Sequence, residues 1–176
     1  IYSLLPITEE EKVTRQLLCI EKADIIIHVI DGKNIQRMLN MTLQLLGAGF
    51  PVILNINLMD EATKQGVHIN LVKLAEKLNI PVIGTAATKK IGLGNLKQAI
   101  VQYSFPQKKF VLPFTEKIED AIHKIENNLT GDYGFSHRMA ALLLLQGDEM
   151  LYDLARTEKK IDDILVDCDN DTILLK

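Results

Sequence analysis

The feature that most constrains this chain is the alternation of two periodicities between residues 23 and 103. Asp24-Ile25-Ile26-Ile27-His28-Val29-Ile30-Asp31 is a run of β-branched apolar residues, the pattern of a strand buried on both faces. From Asn34 to Leu46 the spacing becomes helical, with Ile35, Met38, Leu39, Leu43 and Leu46 on one face, and Gly47 and Gly49 stop it. Pro51-Val52-Ile53-Leu54-Asn55-Ile56 is a second buried strand, with proline only at its first position, where no ladder hydrogen bond is lost. Ile69 to Leu78 reads as a helix with Leu71, Leu74, Ala75 and Leu78 on one face. Pro81 to Thr85 is a third strand, and Gly94 to Tyr103 a closing helix. Strand and helix alternating at this spacing demand a parallel sheet with right-handed crossovers.

After Pro106 the strand signals stop. Pro106 and Pro113 bracket a linker, and Thr115-Glu116-Lys117 opens a helix that runs to about Asn128 with Thr115 as its N-cap. Thr130 to Gly134 is a turn, Ser136 caps a helix through Gln146, and Asp148–Ala155 and Glu158–Asp167 read as two more helices. The expected architecture is therefore α/β over residues 1–105, followed by a small all-α domain over 110–176. Three parallel strands are few for a sheet wound on both sides. The chain opens at Ile1, without an initiator Met and in what reads as a loop, so the expectation is a piece of a longer protein with part of its sheet upstream.

Composition removes several function classes. With 47% hydrophobic and 24% charged residues, 176 residues can build a core without disulfides or metals. A formal net charge of -3 and the lack of a basic stripe argue against nucleic acid as a partner, because phosphate-backbone affinity comes from clustered Lys and Arg. Cys19 and Cys168 stand in no metal or redox spacing. No apolar run approaches the ~20 residues needed to span a bilayer, and no signal peptide is present, so the chain reads as soluble and cytoplasmic. Asp167-x-Asp169-x-Asp171 lacks the Gly and the closing Glu of a calcium loop and reads as a solvated tail. His28, His68, His123 and His137 pair with no nucleophile at a recognisable spacing. No catalytic or metal-binding residue is assigned.

Ligands of open parallel sheets bind beyond the C-terminal strand ends. Here these ends are Asp31-Gly32-Lys33-Asn34, Asn57-Leu58-Met59-Asp60 and Thr85-Ala86-Ala87. The second has the form Asn-x-x-Asp. Guanine presents N1–H and N2–H₂ as adjacent donors, which one carboxylate accepts together, and adenine has no such pair. Asp60 is thus a candidate reader of guanine, Asn57 a candidate for the far edge of the base and for holding the loop. Thr85, Ala86 and Ala87 would let a backbone N–H approach the base oxygen. Read without a nucleotide, the same tetrapeptide is a helix cap leading into Glu61-Ala62. Asp31 reads as strand-end turn chemistry.

Four stretches together resemble the cytoplasmic G domain of the ferrous iron transport protein B family of bacterial membrane transporters. They are Tyr2-Ser3-Leu4 with Pro6, Glu10-Glu11 and Val13-Thr14-Arg15; Asp31 to Asn34 with Arg37 and Leu43 to Leu46; Pro51 to Ala62; and Gly92 to Leu96. The helices from Thr115 onward, Leu142 to Gly147 included, resemble the family's helical domain more loosely. The resemblance implies a partial P-loop-type G domain whose residues 1–15 adjoin a switch. It implies a GTPase parent, GTP or GDP as ligand with Mg²⁺ in the complete domain, and a transmembrane iron-transport domain of the same polypeptide as partner. It places the chain at the cytoplasmic face of the inner membrane and leaves homo-oligomerisation open. Two departures bear on the base site. Leu58 stands where most GTPases have a Lys stacked on the base, and Ala86 replaces the more usual Ser. Moreover, no Gly-x-x-x-x-Gly-Lys-[Ser/Thr] occurs in the sequence. These residues therefore carry base recognition without the phosphate loop, and the expectation is weak nucleotide binding and no hydrolysis. The alternatives are another small GTPase and a nucleotide-free interaction module that keeps the fold as a scaffold.

Overall fold

The structure is a computed structural model and describes residues 13–15, 17–18, 23–104, 110–156 and 165. Cys19, Cys168, the acidic run at Glu9–Glu11, the Asp167–Asp171 motif and the expected helix over 158–167 lie outside these residues, Leu165 excepted. The chain divides into two compact units. The first takes in the described residues from 23 to 104 with Phe110, and the second those of 13–18 and 111–156. Val13, Thr14 and Arg15 thus group with the helical unit, although they precede the sheet in sequence.

The first unit is a three-stranded parallel sheet in the order β1-β2-β3, made of β1 (Ile26–Asp31), β2 (Val52–Asn57) and β3 (Val82–Gly84). The register runs from Ile26 opposite Val52 to Asp31 opposite Asn57, and Ile56 lies opposite Gly84. The strands therefore end at one level and bring their loops to one edge. Helix α1 (Ile35–Gly47) connects β1 to β2, α2 (Met59–Lys64) and α3 (Leu71–Leu78) connect β2 to β3, and α4 (Leu93–Val101) follows β3.

Central β2 meets the expectation of burial on both faces, since Val52, Ile53, Leu54 and Ile56 have no exposed surface. Each such side chain contributes about 1.5–3 kcal/mol on burial. Strand β1 departs from it. Among the described residues it is an edge strand whose His28 face lies against α1, where His28 Nδ1 is 2.9 Å from Thr42 Oγ1, while Ile27 and Val29 on the other face are exposed. Helix α1 is also rotated from the expected stripe. Met41, Thr42, Leu45 and Leu46 are the buried residues, because apolar side chains lie on more than one face of this helix and the face that packs is the one carrying Thr42, which contacts His28. Helix α3 begins two residues later than its periodicity suggests, since Asn70 Oδ1 accepts from Lys73 N at 2.9 Å and so caps it.

The second unit holds α5 (Glu116–Glu126), α6 (His137–Leu145) and α7 (Glu149–Ala155). Every residue of α6 from Met139 to Leu145 is buried, so this helix is the core of the unit. Ser136 caps α6 through its hydroxyl and Asp148 caps α7 through its carboxylate, as their positions suggested. Thr115 occupies the N-cap position of α5 without a cap hydrogen bond. Glu119 reaches back instead, its Oε1 accepting from Phe114 N at 3.1 Å. The same carboxylate takes both terminal nitrogens of Arg138 at 2.8 Å, which fastens α5 to α6. Among the described residues no helix is long and apolar enough to cross a membrane.

Candidate functional site

The site is built where β2 and β3 end. After Asn57 the chain must pass from strand to helix within one residue, and Leu58 does this at φ 58°, in the left-handed region. A non-glycine residue there is strained, and it persists only because its surroundings hold it. The Leu58 carbonyl accepts from Glu61 N and Ala62 N, at 3.0 and 2.9 Å, and so starts α2. Asp60 then falls in the first turn of α2, with its side chain at the surface.

The loop after β3 is fixed by backbone and side chain alike. Thr85 N donates to Ile56 O at 2.8 Å and Met59 N donates to Thr85 O at 3.1 Å, so the two loops are stitched together directly. Asn57 Oδ1 accepts from Thr85 Oγ1 and from Ala87 N, both at 3.1 Å. The Ala87 N–H can be met only by an acceptor, so the oxygen end of Asn57 faces the β3 loop and Nδ2 is turned away from it. Thr85 Oγ1 is also 3.0 Å from Asn55 Oδ1. One hydroxyl proton serves one acceptor at a time, so Thr85 sits between two alternative partners.

Beyond Thr85 the loop folds back. Ala86 and Ile91 exchange backbone hydrogen bonds at 3.1 and 3.2 Å, around a 3₁₀ turn at Ala87–Lys89. Gly92 at φ +78° closes it, and a Cβ there would meet Gly84 O at 2.2 Å. Only glycine permits this approach.

The sequence-derived candidates therefore divide into two groups. Asn57, Leu58, Asp60 and Ala87 come together at the surface, whereas Thr85 and Ala86 are buried. Thr85 acts by positioning Asn57, and Ala86 by anchoring the loop. The amides of Thr85, Ala86 and Ala87 all have acceptors within the protein, and of the three only that of Ala87 lies on an exposed residue.

The charges around α2 form two pairs. Lys89 Nζ is 2.5 Å from Asp60 Oδ2, and Lys33 Nζ is 2.5 Å from Glu61 Oε2. The Lys89 ammonium holds the Asp60 carboxyl below its ordinary pKa. Hydrogen bonding to Glu61 raises that of Lys33. Asp31 behaves as a turn residue, its carboxylate accepting from Lys33 N at 2.8 Å and from Asn34 Nδ2 at 2.9 Å. Sequence reasoning passed over Asn55 and Lys89. Asn55 had a readable signal, a single amide inside an apolar strand. Lys89 had none, because its partner lies in another loop.

Residues 1–100 match the family model described as ferrous iron transport protein B, and residues 114–172 match that of the FeoB cytosolic helical domain. The chain belongs to the ferrous iron transport protein B family. A Porphyromonas gingivalis relative, an Fe(2+) transport protein A/Fe(2+) transporter FeoB fusion protein, is 33% identical over 84% of this chain and 19% of its own length. This chain spans about a fifth to a quarter of the curated FeoB relatives it matches. Among solved structures it is similar to the cytosolic domain of the T. maritima FeoB iron transporter. The GMPPNP form of that domain is 32% identical at a TM-score of 0.81, covering 97% of this chain and 72% of that one. GDP form II is 31% identical at a TM-score of 0.82, with the same coverage. The fold is thus that of a FeoB G domain, a parallel sheet with its helices, accompanied by the family's helical domain.

Proposed function

We propose that the loops at 57–60 and 85–87 are the base-reading half of a guanine-nucleotide pocket. The pocket would belong to the cytosolic, GTP-binding part of a ferrous iron transporter, at the cytoplasmic face of the membrane, with the transmembrane iron-transport domain of the same polypeptide as its partner. What supports the reading is the bridge made by Asn57 Oδ1, which ties the Asn-x-x-Asp loop to the Ala87 amide and turns Nδ2 outward. Asp60 accepts guanine N1–H and N2–H₂, Leu58 offers an apolar surface to the ring, and Ala87 N–H is shared between Asn57 and the base oxygen. The forms in which the T. maritima domain was solved, with GMPPNP and with GDP, agree with a guanine ligand.

Phosphate binding has no counterpart in these residues, since the glycine-rich loop with its Lys and hydroxyl does not occur in the sequence. Nor do the strand ends fit Mg²⁺, because among the described residues no three His, Cys, Asp or Glu side chains gather to hold a metal ion.

Replacing Asp60 by Asn tests the reading. The new amide puts a donor where guanine needs an acceptor, and it suits xanthine, whose exocyclic group is an oxygen. Titrations followed by NMR should show weak GDP binding, well short of sub-micromolar, and a preference between GDP and XDP that shifts toward XDP by roughly tenfold or more. An unchanged preference in the Asp60→Asn protein would mean that Asp60 does not read a base.

A further inference from the structure

The position beside Asn57 where most GTPases carry a cation is here Leu58, yet the loop is not without one. Lys89 reaches Asp60 from the other strand end, with Nζ 2.5 Å from Oδ2. Its backbone is held firmly. The 3₁₀ turn at Ala87–Lys89, the Ala86–Ile91 bridge and the contact of Gly92 with Gly84 fix where the side chain starts. The Lys89 side chain is half exposed, while the Asp60 side chain it meets is 20% exposed. The other nearby cation, Lys33, is engaged by Glu61.

We infer that Lys89 is a built-in competitor for the guanine-reading carboxylate, occupying Asp60 in the empty pocket and yielding it when a base enters. The inference rests on the reading of Asp60 given above. Guanine needs both oxygens of Asp60, one for N1–H and one for N2–H₂, and Oδ2 already carries an ammonium. A base that enters must displace or share that contact. Lys89 therefore lowers guanine affinity and makes it depend on ionic strength, because an exposed ion pair weakens as salt screens it. Lys90, the next residue along, lies on the same loop, and among the described residues the ion pair to Asp60 comes from Lys89.

GDP is the probe, titrated by NMR into the 176-residue chain and its variants at low and high NaCl. Lys89→Met should bind GDP roughly two- to fivefold more tightly than wild type near 50 mM salt, the size expected of an exposed ion pair. The advantage should vanish near 1 M. Lys89→Gln, which keeps a polar side chain, should reproduce the gain. Lys90→Met, which removes the same charge from the same loop, should match wild type and so exclude a general effect on the phosphates. Equal or weaker GDP binding by both Lys89 variants would overturn the inference, as would an equal gain in Lys90→Met. Asp60→Asn separates the two levels. If it changes the GDP-to-XDP preference while Lys89→Met gains nothing, the competitor alone falls. If it leaves that preference unchanged, the base pocket and its competitor fall together.

Discussion

The sheet unit keeps its charges at the rim, whereas the helical unit buries a pair of them. Around β2 the interior is aliphatic, with Asn55, Thr42 and Thr85 as its polar members, and the carboxylates of Asp31, Asp60 and Glu61 stand at the strand ends within reach of solvent. In the helical unit Arg15 and Asp148 are 3% and 4% exposed and paired through Nη1 and Oδ2, with Arg15 also lying over the Phe135 ring. Asp148 Oδ1 caps α7 through Leu151 N at 2.8 Å. Charge at a rim can be exchanged for a ligand at small cost, but charge inside a core is fixed by the penalty of leaving its partner alone. The first arrangement suits a binding edge. The second suits a joint, here between the short helical stretch holding Arg15 and the start of α7.

The largest effect that could break this contrast is at Asp148. Asp148→Asn keeps an oxygen for Leu151 N but leaves the Arg15 charge buried and unpaired, and it should cost about 3–5 kcal/mol in urea unfolding followed by circular dichroism. Asp148→Ala should cost about 1 kcal/mol more, because the cap is lost as well. Combining Arg15→Met with Asp148→Asn should recover much of the loss. The same chemical change at the rim, Asp60→Asn, should leave the unfolding midpoint close to wild type. If Asp148→Asn costs less than about 1 kcal/mol, the two units do not differ in the way proposed.

A smaller effect sharpens the contrast within the sheet unit, where backbone approach rather than charge is the vulnerable feature. Gly92 and Gly94 are two residues apart and face opposite circumstances. A Cβ at Gly92 would lie 2.2 Å from Gly84 O at a φ of +78°, whereas one at Gly94, inside α4, would meet nothing within 4 Å. Gly92→Ala should therefore cost about 2–4 kcal/mol. Gly94→Ala should be neutral or stabilising, by up to about 1 kcal/mol, since alanine limits the unfolded chain and favours the helix. Thermal unfolding of both variants checks this, and equal effects would show that the Gly84–Gly92 approach does not fix the loop.

How much of this was readable beforehand follows from the range of each interaction. Strand β2 could be read because five consecutive buried positions leave a continuous signal, and Asn57 and Asp60 could be named as candidates because their spacing is local. The exposed face of β1 could not, since Ile27 and Val29 are as apolar as buried residues and only the neighbours present decide whether they are covered. The same holds for the rotation of α1, which Thr42 and His28 settle across 14 residues. Lys89 against Asp60 and Arg15 against Asp148 lie further apart still, in segments whose own sequences read as ordinary surface helix or loop. The burial of Thr85 and Ala86 likewise depends on a neighbouring strand. Periodicity and motif report the element, and pairings between elements need the fold.

The smallest effect separates the two units along the pH axis. His28 is a half-buried titratable group of the sheet unit, and burial pushes its pKa below the ordinary 6.5. The fold therefore favours the neutral ring, while the unfolded chain takes up a proton near 6.5. Between these two values the unfolded state binds more protons, so the stability of the sheet unit is complete above about pH 6.5 and falls as pH drops toward the native value. Glu119 gives the helical unit the same sign in a more acidic window. Its hydrogen bonds to Arg138 hold its pKa below the ordinary 4.5, so that contribution stays complete above about 4.5 and is lost as pH falls through the native value. Between pH 6.5 and 4.5 acid should weaken the sheet unit first. Thermal unfolding followed by backbone resonances of each unit would show it, and His28→Gln should flatten the profile of the sheet unit in this range. If both units weaken together from pH 6.5 in the wild type, His28 is not what sets the acid sensitivity of the sheet.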